Sequence, residues 1–366
     1  HNVELITSDF FHARKAYHDT DKEYSVGRVT FIHEPGYKKN ISLKRFYSHF
    51  VMGRNLKKYL SSRKKPDVIY CAVPSLSVAY QVRNYAVKNK IRFIIDVQDL
   101  WPEAFRMVFH VPIISDIIYL PMRLMANCVY NSADDIVAVS KTYLHRAKSV
   151  NKKCGKGISC FLGTELKIFD YYALRDVARD DMKIKLVYIG TLGASYDIKT
   201  VIDALKIILD KKHTEVELEI LGDGPQKEEL EKYAENLPVN FYGRLEYPDM
   251  VSVLSGCDIA VNPIRHLAAQ SIINKVGDYA AAGLPVINTL ENKEYIHLLK
   301  KYKCGYTCKN GDANDMAAKI LYLMKHPDIR KKMGHNSRRF AEKKFDREET
   351  YKSIFELICN DKKCEV

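Results

Sequence analysis

Residues 271–287 read SIINKVGDYAAAGLPVI, and the reading of this stretch decides the fold. The spacing predicts a short helix of small residues over 274–282, ended by a C-cap glycine at Gly283. Pro285 blocks continuation of the helix, and Val286-Ile287 opens a buried strand. Small side chains let the helix backbone press against a neighbouring strand or a ligand. Lys275 and Asp278 lie three apart, on one face near the helix start. Two readings of that pair stand: a lysine for a phosphate with an acid for a sugar hydroxyl, or a solvated ion pair on an ordinary helix.

Upstream, strands and helices alternate. Strands are expected at 185–189, 215–221, 239–242 and 258–262, with helices at 198–211, 226–236 and 248–256 between them. The first strand runs into Gly190-Thr191-Leu192-Gly193, the second into Gly222-Asp223-Gly224-Pro225, and the third into Gly243-Arg244. A strand–glycine loop–helix unit can turn backbone N–H groups and a helix dipole onto a phosphate. Such glycines also serve simply as turns, so the weight lies in several loops beside one lysine. Arg244 reads equally as a phosphate or base contact and as a surface arginine.

The first half repeats the alternation. Strands are expected at 3–7, 28–33, 67–72, 91–97 and 135–140, with a helix at 76–90. The strand at 91–97 is nearly all apolar, as in a buried parallel sheet, and ends in QDLWPE, residues 98–103, with the chain's single tryptophan. The charged segment 167–183 reads as a linker, and the tail 328–360 as two or more helices. The whole is an α/β chain of two doubly wound sheets.

A length of 366 residues fits two domains, and 46% hydrophobic with 28% charged residues excludes wholesale disorder. The net charge of +13 is uneven: residues 1–180 hold 29 Lys and Arg against 17 Asp and Glu, and residues 181–366 hold 29 against 28. An anionic partner is therefore expected to meet the first half, be it membrane, nucleic acid or phosphorylated substrate. Much of the charge lies in 38–65, where Phe46, Phe50, Val51, Leu56 and Leu60 recur at helical spacing. That segment reads as an amphipathic helix on anionic lipid, or as a surface helix with its apolar face on the core. Nine scattered cysteines without C-x-x-C fit reduced, mostly buried thiols of a cytoplasmic protein. The longest apolar run, 111–122, is too short for a span and is broken by Asp116 and Pro121. No signal peptide is visible, and the chain opens at His1 almost inside a strand, which suggests that something upstream is not shown.

Together LVYIGTLG, LEILGDGP, FYGRL, SGCDIAVNP and NKVGDYAAAGLPVI resemble the donor-binding half of family-4 glycosyltransferases, which have the GT-B fold. DVQDLWPE, DDIVAVS and FLGTE resemble the acceptor-side half, and the likeness is nearest to bacterial capsule and O-antigen enzymes. The resemblance implies two facing Rossmann-like domains, 1–168 for the acceptor and 169–344 for the donor, with 345–366 crossing back to the first. It implies a UDP-sugar donor before a GDP-sugar, a polyprenyl-diphosphate-linked saccharide acceptor, retention at the anomeric carbon, no metal or other cofactor, no nucleic acid, and a place on the inner face of the cytoplasmic membrane. Carried over by position, Lys275 binds the donor diphosphate with the Gly190–Leu192–Gly193 loop. Gly222, Arg244, Gln270, Asn274 and Gly283 join the donor site, and Asp278 meets the ribose.

Three departures stand out. The family's two glutamates eight apart appear here as Gln270 and Asp278. Its first-domain histidine appears as Gln98, beside Asp99, which makes Asp99 the candidate catalytic or acceptor-orienting carboxylate. The family's first strand and glycine loop have no counterpart after His1. Two other functions fit the same fold: a nucleotide-sugar 2-epimerase or hydrolase using Asp99, His266 and Asp223, and a non-catalytic nucleotide-sugar-binding homologue.

Overall fold

The mostly apolar runs Ile184–Ile189 and Arg92–Val97, and the alternating Val216–Leu221 with Glu217 and Glu219 on one face, each become a strand largely buried along its length. The computed structural model describes the chain except residues 1, 13, 20–26, 40–41, 74, 108–110, 112, 175–182, 267–271, 273 and 360–366. The chain divides into two units, His1–Ser159 with Glu356–Val366, and Cys160–Phe355.

In the first unit β1 (Glu4–Ser8) leads into a hairpin of β2 (Phe10–Phe11) and β3 (Ala16–Tyr17), and β4 (Arg28–Ile32) returns to pair with β1 in parallel. A separate parallel sheet has the order β5 (Val68–Val73), β6 (Arg92–Val97), β7 (Asp135–Ala138), β8 (Gly157–Ser159). Helices Leu43–Ser61 and Ile114–Asn131 both pack on helix Leu76–Asn89. The expected strand at 135–140 stops at Ala138, because Ser140 turns away to cap the next helix, its hydroxyl accepting from the Tyr143 N–H.

The second unit holds one six-stranded parallel sheet: β9 (Ile184–Ile189), β10 (Val216–Leu221), β11 (Val239–Gly243), β12 (Ile259–Asn262), β13 (Val286–Asn288) and β14 (Gly305–Thr307). Their spatial order is β11-β10-β9-β12-β13-β14. This is the doubly wound 3-2-1-4-5-6 arrangement, in which ligands bind beyond the C-terminal strand ends where the winding reverses, here between β9 and β12. The helix expected at 274–282 forms over Asn274–Ala281. Gly283 has φ +67°, and the Leu284 N–H returns to the Tyr279 carbonyl at 3.0 Å, the expected left-handed cap.

The unit boundary lies nine residues before the expected 168/169, and the physical reason is local. Phe161, Leu166 and Phe169 are buried with Val276, Tyr279 and Phe345 in one core of the second unit. Gly163 and Thr164 press on the start of the tail: the Thr164 N–H donates to the Phe345 carbonyl at 2.7 Å, and the Arg347 N–H to the Thr164 carbonyl at 3.2 Å. A Cβ at Gly163 would stand 2.3 Å from that Phe345 oxygen. Residues 345–355 therefore group with the second unit, and only from Glu356 does the chain group with the first, where Arg92 donates to the Leu357 carbonyl at 2.8 Å.

Phe345 is almost wholly buried between Phe161 and Phe340, with ring centroids at 5.2 and 4.9 Å. Phe345→Ala should cost about 3–5 kcal/mol in denaturant unfolding, whereas Leu174→Ala, at a site 83% exposed, should stay within about 0.5 kcal/mol.

Candidate functional site

The loops after β9 and β10 are pressed backbone to backbone. The Gly190 N–H donates to the Leu221 carbonyl and the Leu192 N–H to the Asp223 carbonyl, both at 2.9 Å. A Cβ at Gly222 would lie 1.8 Å from the Gly190 oxygen, and one at Gly224 would lie 2.4 Å from the Leu192 oxygen. Only glycine permits that approach, and it leaves bare backbone along one wall of a cavity of about 700 Å³. The cavity is bounded by residues after four strands: Gly190 and Thr191, Gly222 to Gly224, Arg244 with Leu245, and Lys275 with Asp278.

Lys275 is 8% exposed, and its Nζ has no hydrogen-bond partner. It sits 4.2 Å from the Tyr188 ring centroid and 3.9 Å from that of Tyr196. Burial pushes its pKa well below the ordinary lysine value. The lysine is held by its helix, which Tyr279 ties to the sheet: its hydroxyl accepts from the Ile189 N–H at 2.9 Å and donates to the Val261 carbonyl at 3.2 Å.

Asp278 does not pair with Lys275, so the solvated ion pair is not what forms. Its Oδ1 accepts from the Thr164 hydroxyl at 2.9 Å and from the Tyr247 hydroxyl at 3.5 Å. Burial raises its pKa to about 6, against the lowering effect of the Thr164 hydrogen bond and of Arg347.

The other expected residues divide. Gly190, Gly222 and Arg244 line the cavity, as does Asp223. Leu192 points into the core below the loop, and neither Gly193 nor the exposed Asn274 lines the cavity. Gly283 faces Gly334 and Arg338 of helix Pro327–Lys344, so its role is the turn and the helix contact, away from the cavity. Gln270 lies outside the described residues. Gln98 and Asp99 belong to the first unit. Gln98 donates to Asp96 at 2.8 Å. Asp99 accepts from the Leu100 N–H at 2.9 Å and from Trp101 Nε1 at 3.1 Å, and burial raises its pKa. His266 is exposed, with Nδ1 at 2.8 Å from Glu291. Thr164, Tyr188, Tyr196 and Tyr247 complete the surroundings of the lysine and the aspartate and were not anticipated. Tyr188, in LVYIG, had only strand alternation to mark it. Among the described residues no group of three His, Cys, Asp or Glu side chains has metal-site spacing.

Asp278 ties site electrostatics to stability. Its folded pKa of about 6 exceeds the ordinary aspartate value of 3.8. Between those values the folded state keeps a proton that the unfolded state releases, so this group favours folding below pH 4 and loses that contribution as pH rises toward 6. Asp278→Asn should flatten the fall in unfolding free energy between pH 4 and pH 6, measured by urea titration. An unchanged pH profile would place the carboxyl in water.

Residues 173–340 match the family model described as Glycosyl transferases group 1. Protein CapJ of Staphylococcus aureus is 26% identical over 249 residues, which is 64% of this chain and 60% of that protein. Sulfoquinovosyl transferase SQD2 of Arabidopsis thaliana is 26% identical over 160 residues, 43% of this chain and 30% of that protein. The match thus spans under two thirds of either relative. Of solved structures, Anabaena Alr3699/HepE in complex with UDP superposes with a TM-score of 0.68 at 15% identity, covering 90% of this chain and 86% of that one. WaaG, a glycosyltransferase involved in lipopolysaccharide biosynthesis, superposes with a TM-score of 0.67 at 12% identity, covering 99% and 92%. At those identities the likeness is one of fold, the GT-B pair of Rossmann-like units.

Proposed function

We propose that this chain, whose residues 173–340 carry the glycosyl transferases group 1 domain, moves a sugar from a UDP-sugar to a saccharide carried on a polyprenyl diphosphate, in the synthesis of a surface polysaccharide. The observation that carries the reading is the buried, unpartnered Lys275 Nζ on the wall of the glycine-lined cavity. A lysine amine held out of water with no hydrogen-bond partner suits a ligand that brings negative charge and favours its charged form, and a diphosphate brings two phosphate groups to the same wall. Alr3699/HepE, of like fold, is described in complex with UDP, which favours uridine over guanosine as the base.

In this reading the diphosphate lies along Gly190–Thr191, within reach of Lys275 and Arg244. Charge that develops on the leaving diphosphate is met by groups already fixed in place, so the transfer needs no metal. The Thr164 and Tyr247 hydroxyls both donate to Oδ1 of Asp278, and in this reading Oδ2 accepts from a ribose hydroxyl. Retention at the anomeric carbon follows the family resemblance. Asp99, already bound to Leu100 and Trp101, orients the acceptor loop of the first unit, with Gln98 beside it. In this reading the enzyme works on the inner face of the cytoplasmic membrane, which the excess of bases in its first half supports. CapJ and WaaG support the surface-polysaccharide setting by likeness alone.

Calorimetric titration with UDP, GDP and UDP-sugars tests the donor site. Lys275→Ala should weaken UDP binding roughly tenfold or more, the scale of one charge-assisted phosphate contact; unchanged affinity removes Lys275 from the site. With UDP-sugar and lipid extract together, UDP release should depend on the lipid. Release without lipid would instead mark a hydrolase or epimerase, and tight binding without turnover a binding protein.

A further inference from the structure

Helix Ile114–Asn131 buries one side, with Ala126, Val129 and Tyr130 inaccessible. Its opposite side is aliphatic and bare. Ile117, Leu120 and Leu124 fall within an arc of about 60° at the helical 100° per residue, Ile114 and Ile118 widen it, and Ile113 precedes the helix as its N-cap. Ile117 is 67% and Leu124 59% exposed. Single exposed aliphatics are ordinary, but five on one helix with a sixth at its N-cap form a patch of the kind that marks an interaction site. Within the helix only Asp116 and Arg123 are charged.

A second exposed set lies on helix Leu43–Ser61: Leu43, Phe46, Tyr47 and Phe50. The two helices are joined by rings. Phe46 stands 5.7 Å from Phe105, and Phe105 6.2 Å from Tyr119 of the longer aliphatic helix. Charge then identifies the occupant. Residues 38–65 contain ten Lys and Arg and no Asp or Glu. Residues 1–159 hold 26 Lys and Arg against 13 Asp and Glu, so two copies meeting here would repel. An apolar row flanked by bases suits a phase that is apolar inside and anionic at its surface.

We infer that the exposed faces of helices Leu43–Ser61 and Ile114–Asn131 form one docking surface for an anionic bilayer leaflet. The aliphatic row lies in the plane of the interface among acyl chains, with the basic residues of 38–65 at the level of the lipid phosphates. No helix among the described residues is long and apolar enough to cross a membrane, so the helix lies on the bilayer and does not span it. The inference rests on the membrane reading above and adds the elements that make the contact, chiefly the helix 114–131.

Flotation with phosphatidylcholine vesicles, alone and with phosphatidylglycerol, tests it on the full chain. Wild-type protein should float with the anionic vesicles and lose only part of this binding at high salt, because screening acts on the basic residues and not on the aliphatic row. Ile117→Glu with Leu124→Glu should weaken vesicle binding roughly tenfold or more, with UDP affinity and thermal midpoint unchanged. Lys57→Glu with Lys58→Glu should instead reduce the salt-sensitive part. Normal flotation of the Ile117→Glu, Leu124→Glu protein would overturn the inference while leaving the membrane reading intact. No flotation of wild type at any salt would remove both. A dimer in sedimentation that the same pair of substitutions dissolves would assign the face to a second copy.

Discussion

The second unit is arranged around a lysine amine kept out of water. Removing a charged group of this size from solvent costs several kcal/mol in real proteins, and ring contacts such as those Lys275 makes with Tyr188 and Tyr196 return about 2 kcal/mol when desolvated. Burial outweighs the ring contacts, in agreement with the lowered pKa of the lysine. The surroundings hold the side chain in place all the same. Tyr188 donates its hydroxyl to the Thr191 carbonyl at 2.8 Å, so the ring beneath Lys275 is itself fixed to the glycine loop. A Cβ at Gly190 would come 3.2 Å from Nζ. The loop, ring and lysine thus form one wall, and a negatively charged ligand there favours the charged form of the amine.

The helix that carries Lys275 also has a second face, directed at the tail. Asp278 holds Thr164, whose backbone is bonded to Phe345 and Arg347. Gly277, between the two charged positions, allows this: a Cβ there would stand 2.9 Å from the Thr164 hydroxyl and would displace the group that Asp278 binds. The small-residue run is therefore explained on both sides. Tyr279 needs contact with β9 and β12, and Gly277 needs contact with Thr164. An aspartate suits the short reach to that hydroxyl.

Much of the second unit was legible in the sequence because its signals are local. Strand runs such as 185–189 and the cap at Gly283 depend on residues a few positions apart. Short strands escaped: β8 and β14 have three residues each, begin with glycine and show no period. The site was legible where the chain itself points, at Lys275 and the Gly190 and Gly222 loops. It was not legible where partners come from far along the chain. Thr164 lies 114 residues from Asp278, and no spacing rule connects them. Gly283 and Leu192 show the converse: they carry the right residue type at the right place in a pattern, yet face neighbouring helices or the core.

The charge asymmetry takes on a definite form once exposure is added. In residues 38–65 the sequence left open whether the apolar residues of the basic helix face the core or a membrane. Both occur, on different sides: Leu56 and Leu60 are buried, while Phe46 and Phe50 are exposed. A helix with its own core anchor does not need outward aromatic residues for stability, and leaving them in water forfeits transfer free energy. The helix 114–131 repeats the pattern with aliphatics. Two neighbouring helices that each keep an apolar face outward, amid an excess of bases and with aromatic rings between them, are the features on which the inferred anionic docking surface rests. An acceptor whose reactive end lies at the level of lipid phosphates would be met by the unit that carries this surface.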